Sequence, residues 1–192
     1  EFLISKGVDP KIPPTPLLSE EFISKVEAKS PKARAQELEY AIKEHIEKHF
    51  EEDPEFYERF SDKLKRILQE YKENWDLLAN ELEKLRCDIK KGRKSENTFG
   101  LDPKNEMPFL GLLKQMIFGK EPVENLGKSD IDFLVNLTED IVSIIKRETK
   151  SIDFWENYTK QKTLKAHIIS HLLAPNCGVR ENKVNGVAEE ST

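Results

Sequence analysis

The chain has 192 residues, of which 35% are charged and 37% hydrophobic, with a formal net charge of −5. That length accommodates one domain with tails. The hydrophobic residues cluster in helical periods, which excludes a disordered chain, and the acidic balance excludes a domain that is basic overall as many nucleic-acid binders are. Cys87 and Cys177 are the two cysteines. Two do not make a disulfide framework, so a reducing cytoplasm is expected. No apolar run approaches the ~18–20 residues that span a bilayer, and no membrane role is expected. The chain opens on Glu1-Phe2-Leu3-Ile4-Ser5 without an initiator Met or a signal-peptide pattern, as a piece of a longer protein would.

Residues 1–18 read as a linker. Pro10, Pro13, Pro14 and Pro16 forbid a helix and favour extended backbone. Ser19 can cap a short helix to Ala28 with Phe22, Ile23 and Val26 on one side. Ser30-Pro31 opens a second helix to about Phe50, whose stripe is Leu38, Ala41, Ile42, Ile46 and Phe50. The short turn Glu51–Asp53 then predicts an antiparallel neighbour.

That neighbour is expected to be one long helix, Asp53 to Gly92. Asp53 can cap it, Pro54 fits its first turn, and Gly92 suits its C-terminal exit. No Pro or Gly interrupts it. At ~1.5 Å per residue it would be roughly 57 Å long. Its seam is Tyr57, Phe60, Leu64, Ile67, Tyr71, Trp75, Leu78, Leu82, Leu85 and Ile89. The two consecutive steps of four, Ile67–Tyr71–Trp75, predict a straight rod with Tyr71 and Trp75 at the thickest part of the core.

A polar loop, Arg93–Asn105, follows. Pro108 opens a compact helix from Phe109 to about Phe118 that is apolar on most sides, so it is buried on more than one face or meets a partner through Phe109, Leu110 and Phe118. Gly111 inside it predicts close approach of another backbone. Ser129 and Asp132 make a start signal for a helix to about Lys150, with Leu134, Leu137, Ile141, Ile144 and Ile145 inward. Phe154, Trp155 and Tyr158 lead into a last helix, about Lys160–Leu173, with Leu164, Ile168 and Leu172 inward and Pro175 as its stop. Residues 174–192 read as a flexible tail. The fold class is therefore all-α: an irregular helical bundle built on one long helix (about residues 54–91), with five or six helices in total and a helical domain over 19–173.

Few residues carry a chemical signature. The four histidines form two i, i+4 pairs, His45/His49 and His167/His171, the spacing a metal ion would need. Each pair also borders its own apolar stripe, and His45-Ile46-Glu47-Lys48-His49 is not the zinc-protease order, so these remain packing residues first and metal candidates second. Gly127-Lys128-Ser129 resembles the end of a phosphate loop. Pro122 stands where that pattern needs Gly and no strand precedes it, so Ser129 reads as a helix cap. Glu27-Ala28-Lys29 and Glu70-Tyr71-Lys72 match half of a nuclease motif but sit on helices rather than adjacent strands. No catalytic set, metal or cofactor site is expected in the chain itself. The basic cluster Lys84, Arg86, Lys90, Lys91, Arg93 and Lys94 complements the rod's C-terminal dipole, or contacts DNA phosphates or an acidic partner. Glu44, Glu47, Glu51, Glu52, Asp53, Glu55 and Glu58 make the opposite end acidic, which suits oriented docking.

The run Ala41-Ile42-Lys43-Glu44-His45-Ile46, with Asp53-Pro54-Glu55-Phe56-Tyr57-Glu58-Arg59-Phe60-Ser61-Asp62-Lys63-Leu64, resembles the C-terminal helical domain of the type I restriction enzyme R subunit, the DNA-translocating motor. Asp153-Phe154-Trp155 through Leu164, Ile168 and Leu172 resembles that domain's closing helix. Phe60 departs from the leucine expected there. The resemblance covers about residues 1–173. It implies a parent subunit with a nuclease domain and two helicase-type ATPase domains upstream, using ATP and Mg²⁺ to translocate and cleave double-stranded DNA in the cytoplasm. It implies for this part a docking role on the methyltransferase (modification) and specificity subunits, and no catalytic residue of the family falls within this chain. The alternative is a DNA-contacting module acting through the cluster at 84–94.

Overall fold

A computed structural model describes residues 15–174. The prolines Pro10, Pro13 and Pro14 of the expected linker, the stop at Pro175, Cys177 and the expected tail lie outside them. Seven α-helices are formed among the described residues, and no strand: α1 Glu20–Glu27, α2 Pro31–His49, α3 Pro54–Glu70, α4 Trp75–Lys91, α5 Met107–Phe118, α6 Lys128–Glu148 and α7 Tyr158–Leu172. The chain divides into two compact units. The first runs up to Glu51 and then over Tyr57–Gly92; the second takes Glu52–Phe56 and the chain from Arg93 onward.

The first unit begins with Leu17 buried and Ser19 capping α1, its hydroxyl accepting from the Phe22 N–H at 3.2 Å. Lys25 of α1 and Lys29 just after it both pair with Glu37 of α2. The core is Phe22, Val26, Leu38, Ile42, Ile46, Leu64, Ile67, Leu78, Leu82, Leu85 and Ile89. Leu38, Ile42, Leu82 and Leu85 are fully enclosed, each contributing ~1.5–3 kcal/mol by burial. The stripe on α2 stops short of its expected end, because Phe50 is 41% exposed in a 3₁₀ turn, Phe50–Glu52.

The single long rod is not formed. It is two helices of 17 residues each, broken at Tyr71–Asn74. Lys63 of α3 reaches Asp88 of α4 at 2.8 Å, a spacing only a hairpin allows. The early end of α2 meets the early end of α4, with the Lys32 ammonium 5.4 Å over the Trp75 ring. The late end of α2 meets the start of α3, with the His45 ring 5.9 Å from Tyr57. The arrangement is therefore up, down, up, and the antiparallel pairing of α2 with the helix after it holds. The break has a cause in Asn74, whose side-chain oxygen accepts from the Leu77 N–H at 3.0 Å and starts α4 with Asp76 in its first turn. A 57 Å rod would leave half of its seam uncovered, whereas helices of about 25 Å match α2 in length and bury both stripes. Trp75 is accordingly not at the thick middle of a core. It sits at the hairpin's turn, 38% exposed.

Asn74→Ala should lower the stability of the first unit by about 1 kcal/mol, as loss of an N-cap does, while Asn74→Asp keeps it. The check is the urea midpoint at constant slope.

In the second unit, α5 starts two residues earlier than its proline signal suggested, with Pro108 inside the first turn. Its apolar surface is consumed within the chain. Leu110 packs with Leu101 and Met107, and Leu113 joins Leu134, Leu137, Ile141, Phe154, Leu164, Ile168 and Leu172, with Phe118 half-buried against them. Helix α6 is capped by the backbone of Gly127, not by Ser129, which lies within its first turn. Helix α7 is capped by Asn157, whose side chain accepts from the Lys160 N–H.

Candidate functional site

The residues singled out by chemistry are divided between the two units. His45 and His49 lie in the first unit, their tilted rings 4.4 Å apart, with His49 stacked on Tyr57. His167 and His171 lie in the second, on α7. His167 Nδ1 is 3.1 Å from Glu148, and His171 Nε2 is 3.2 Å from Asp140. Both carboxylates are on α6, so the two contacts tie α7 to α6 along an open groove of about 450 Å³ lined also by Ser143, Ile144 and Arg147. The Glu148 carboxyl is held below the usual carboxylate range by the Arg147 guanidinium, with His167 adding to it. Among the described residues, no three His, Cys, Asp or Glu side chains are placed to hold a metal ion together.

The basic cluster is taken apart by the fold. Arg86 is 4% exposed, and its Nε and Nη2 both bond Glu83, at 2.9 and 2.6 Å to the same oxygen. Lys84 pairs with Glu81 and Lys91 with Asp88 on the surface. Lys90 and Lys94 are exposed. Arg93 also turns inward, at 7% exposure.

Around Arg93 the second unit builds a buried charge cluster that reading the sequence missed. Arg93 grips Asp53 through Nε to Oδ2 at 2.6 Å and Nη2 to Oδ1 at 2.8 Å, the bidentate fork that a lysine cannot make. Its Nη2 also donates to Glu55 at 2.7 Å and its Nη1 to Glu96 at 2.8 Å. Phe56 lies beneath the guanidinium, 5.3 Å from its ring. Lys114, 3% exposed on α5, donates to the other oxygen of Glu55 at 3.3 Å and to the Glu121 carbonyl at 3.2 Å. Burial works against the Arg93 charge, but the Asp53 and Glu55 carboxylates more than offset it and hold the guanidinium above the ordinary arginine range. Asp53 meanwhile keeps its capping role, accepting from the Phe56 N–H at 3.2 Å.

Gly111 explains how the cluster fits. A Cβ there would lie 2.9 Å from Arg93 Nη2 and 3.0 Å from Glu55 Oε2. The close approach at Gly111 is thus by a pair of charged side chains and not by another backbone. The rod's two ends, expected to stand apart as acidic and basic poles, are instead joined through Asp53, Glu55 and Arg93. Lys114 was the available signal: a lone lysine in the middle of an otherwise apolar helix must find a carboxylate. With five charges satisfying one another, the cluster acts as a clamp on three chain segments rather than as a reactive centre.

The exposed apolar side chains of the second unit lie elsewhere. Ile152, Trp155 and Tyr158 project from the turn before α7 and from its first residue. Leu110, one of three residues expected to meet a partner, is fully buried, while Phe109 and Phe118 are half-buried. No described helix is long and apolar enough to cross a membrane.

Comparison with curated proteins and comparison with solved structures each give no match. The family model described as type I restriction enzyme HindI endonuclease subunit-like, C-terminal, matches residues 4–178. That span takes in both units and every surface just described, and the chain belongs to this family of C-terminal domains of type I restriction endonuclease subunits.

Proposed function

We propose that the chain is the docking domain of a type I restriction–modification motor subunit, holding an ATP- and Mg²⁺-dependent DNA translocase and endonuclease onto its methyltransferase and specificity subunits. The family membership over residues 4–178 supports the parent's class. Docking is favoured over direct DNA contact by one observation: Arg86 and Arg93 are turned inward and Lys84 and Lys91 are paired with acids. The stretch at 84–94 then offers phosphates little more than Lys90 and Lys94. A DNA-binding face built on so few cations would show a shallow salt dependence, because each phosphate contact adds about one unit to the slope.

The test is a mixing experiment. The purified chain, combined at micromolar concentration with the assembled methyltransferase–specificity core, should co-elute with it in size-exclusion chromatography. Separate elution of the two at that concentration overturns the docking role. In parallel, tight DNA binding that is lost on alanine substitution of Lys90 and Lys94 would move the assignment to the DNA-contacting alternative.

A further inference from the structure

The turn that precedes α7 is built unlike an ordinary surface loop. Three large apolar side chains leave it for solvent: Ile152 wholly, Trp155 at 71% and Tyr158 at 69% exposure. The backbone that carries them is fixed. Phe154 is buried at 2% exposure and meets the Trp155 ring edge-on, 5.1 Å between centroids. The Gln161 side-chain amide donates to the Phe154 and Trp155 carbonyls, at 3.3 and 2.9 Å. The Asp153 carboxylate accepts from Lys160, the Ser151 hydroxyl and the Asn157 amide, and Asn157 in turn caps α7. A segment ordered by its own hydrogen bonds loses little conformational freedom on binding, and tryptophan and tyrosine held out in this way have the composition of interface hot spots.

The surroundings differ in charge from the rest of the chain. Between positions 146 and 165 there are six lysines and arginines against Glu148, Asp153 and Glu156, in a chain whose net charge is −5. Lys162 places its ammonium 4.6 Å over the Tyr158 ring. A nucleic acid is the poorer fit. Ile152 has no ring to stack, a face of Tyr158 is covered by Lys162, and Lys146, Arg147 and Lys160 are paired with Glu106, Glu148 and Asp153. A protein surface with an apolar pocket and an acidic rim satisfies both the projecting side chains and the positive margin.

We propose that the turn Ser151–Asn157, together with Tyr158, is the anchor by which this domain seats in its protein partner, and that the partner presents an apolar pocket bordered by carboxylates. This rests on the docking reading above and names the surface that performs it. The test is affinity for the methyltransferase–specificity core, measured by titration with the whole chain, its Ile152→Ser/Trp155→Ala variant and its Lys150→Glu/Lys162→Glu variant. These positions are exposed, and an unchanged circular dichroism spectrum and urea midpoint confirm that each variant folds. The apolar double variant should bind at least tenfold more weakly. The charge-reversed one should bind more weakly at low salt, the difference shrinking as salt is raised. If the wild-type chain binds the core and both variants bind within twofold of it, the anchor is wrong while docking stands. If the wild-type chain does not bind the core, both readings fall. Loss of binding to a DNA duplex in the Ile152→Ser/Trp155→Ala variant, with core binding intact, also overturns the anchor.

Discussion

Arg93→Met is expected to destabilise the second unit by about 3–5 kcal/mol, the range for removing one partner from a buried ion pair. The magnitude follows from what the substitution strands. Asp53 and Glu55 are each about nine-tenths buried and lose their principal cation at once, leaving Lys114 to face Glu55 alone. Two buried carboxylates then carry a desolvation cost that Lys114 and the Phe56 N–H offset only in part, and the thioether supplies no donor to either. Arg93→Lys should fall between wild type and Met, since an ammonium keeps the charge but cannot bond both oxygens of Asp53 and Glu55 together. Arg86→Met supplies the contrast. Glu83, its partner, is 26% exposed and is rehydrated when the guanidinium leaves, so the cost there should stay near 1–2 kcal/mol. The measurement is urea unfolding followed by Trp155 fluorescence in a Trp75→Phe background, which isolates the second unit because the chain has two tryptophans, one in each unit. A loss below 1 kcal/mol for Arg93→Met would show that the cluster is not what holds these segments.

The contrast between Arg86 and Arg93 also marks where sequence reading stops. Periodicity located five of the seven helices within a few residues, because apolar side chains at steps of three and four have few other places to go. It joined α3 and α4 into one rod because their stripes stay in phase across Tyr71–Asn74, and the break there is made by a polar residue rather than by Pro or Gly. Asn74 is a common N-cap, but an asparagine within a charged stretch is also an ordinary surface residue, and only folding back settles which it is. The candidate surfaces were less legible for the same reason. Lys84, Arg86, Lys90, Lys91, Arg93 and Lys94 form one patch in sequence, yet a helix distributes them around its axis and a hairpin brings Arg93 to Asp53. Burial of a charge depends on partners 38 to 59 positions away, information that local pattern does not hold. Trp155 and Tyr158 show the converse. The three aromatic residues leading into α7 carry no mark in the sequence that tells core from surface, and only Phe154 among them is core.

Gly111→Val should destabilise the second unit by about 3 kcal/mol, and its alanine counterpart tests the cause by sign. In an exposed helix interior, replacing Gly by Ala stabilises by ~1 kcal/mol. At position 111 the new Cβ would meet Arg93 Nη2 at 2.9 Å, Glu55 Oε2 at 3.0 Å and Glu55 Cβ at 3.2 Å. The first of these atoms ends a flexible side chain, but it is held by Asp53 and Glu55, so it can give way only by lengthening two charge-assisted bonds. Overpacking of this kind costs ~1–3 kcal/mol, which outweighs the propensity gain. Gly111→Ala is therefore expected to destabilise, and a stabilising result would mean that the cluster yields easily. Valine adds two methyl groups to the same crowded space and cannot be relieved by a rotamer change, since a β-branched side chain on a helix has one favoured χ1. The double-mutant cycle completes the argument. In the Arg93→Met background Nη2 is gone and the flexible thioether can move away from the new side chain, so Gly111→Val should cost at least 1 kcal/mol less than in the wild type, a coupling within the range seen for residues in direct contact. Additive losses would place the two residues in separate features of the unit and remove Gly111 from the clamp.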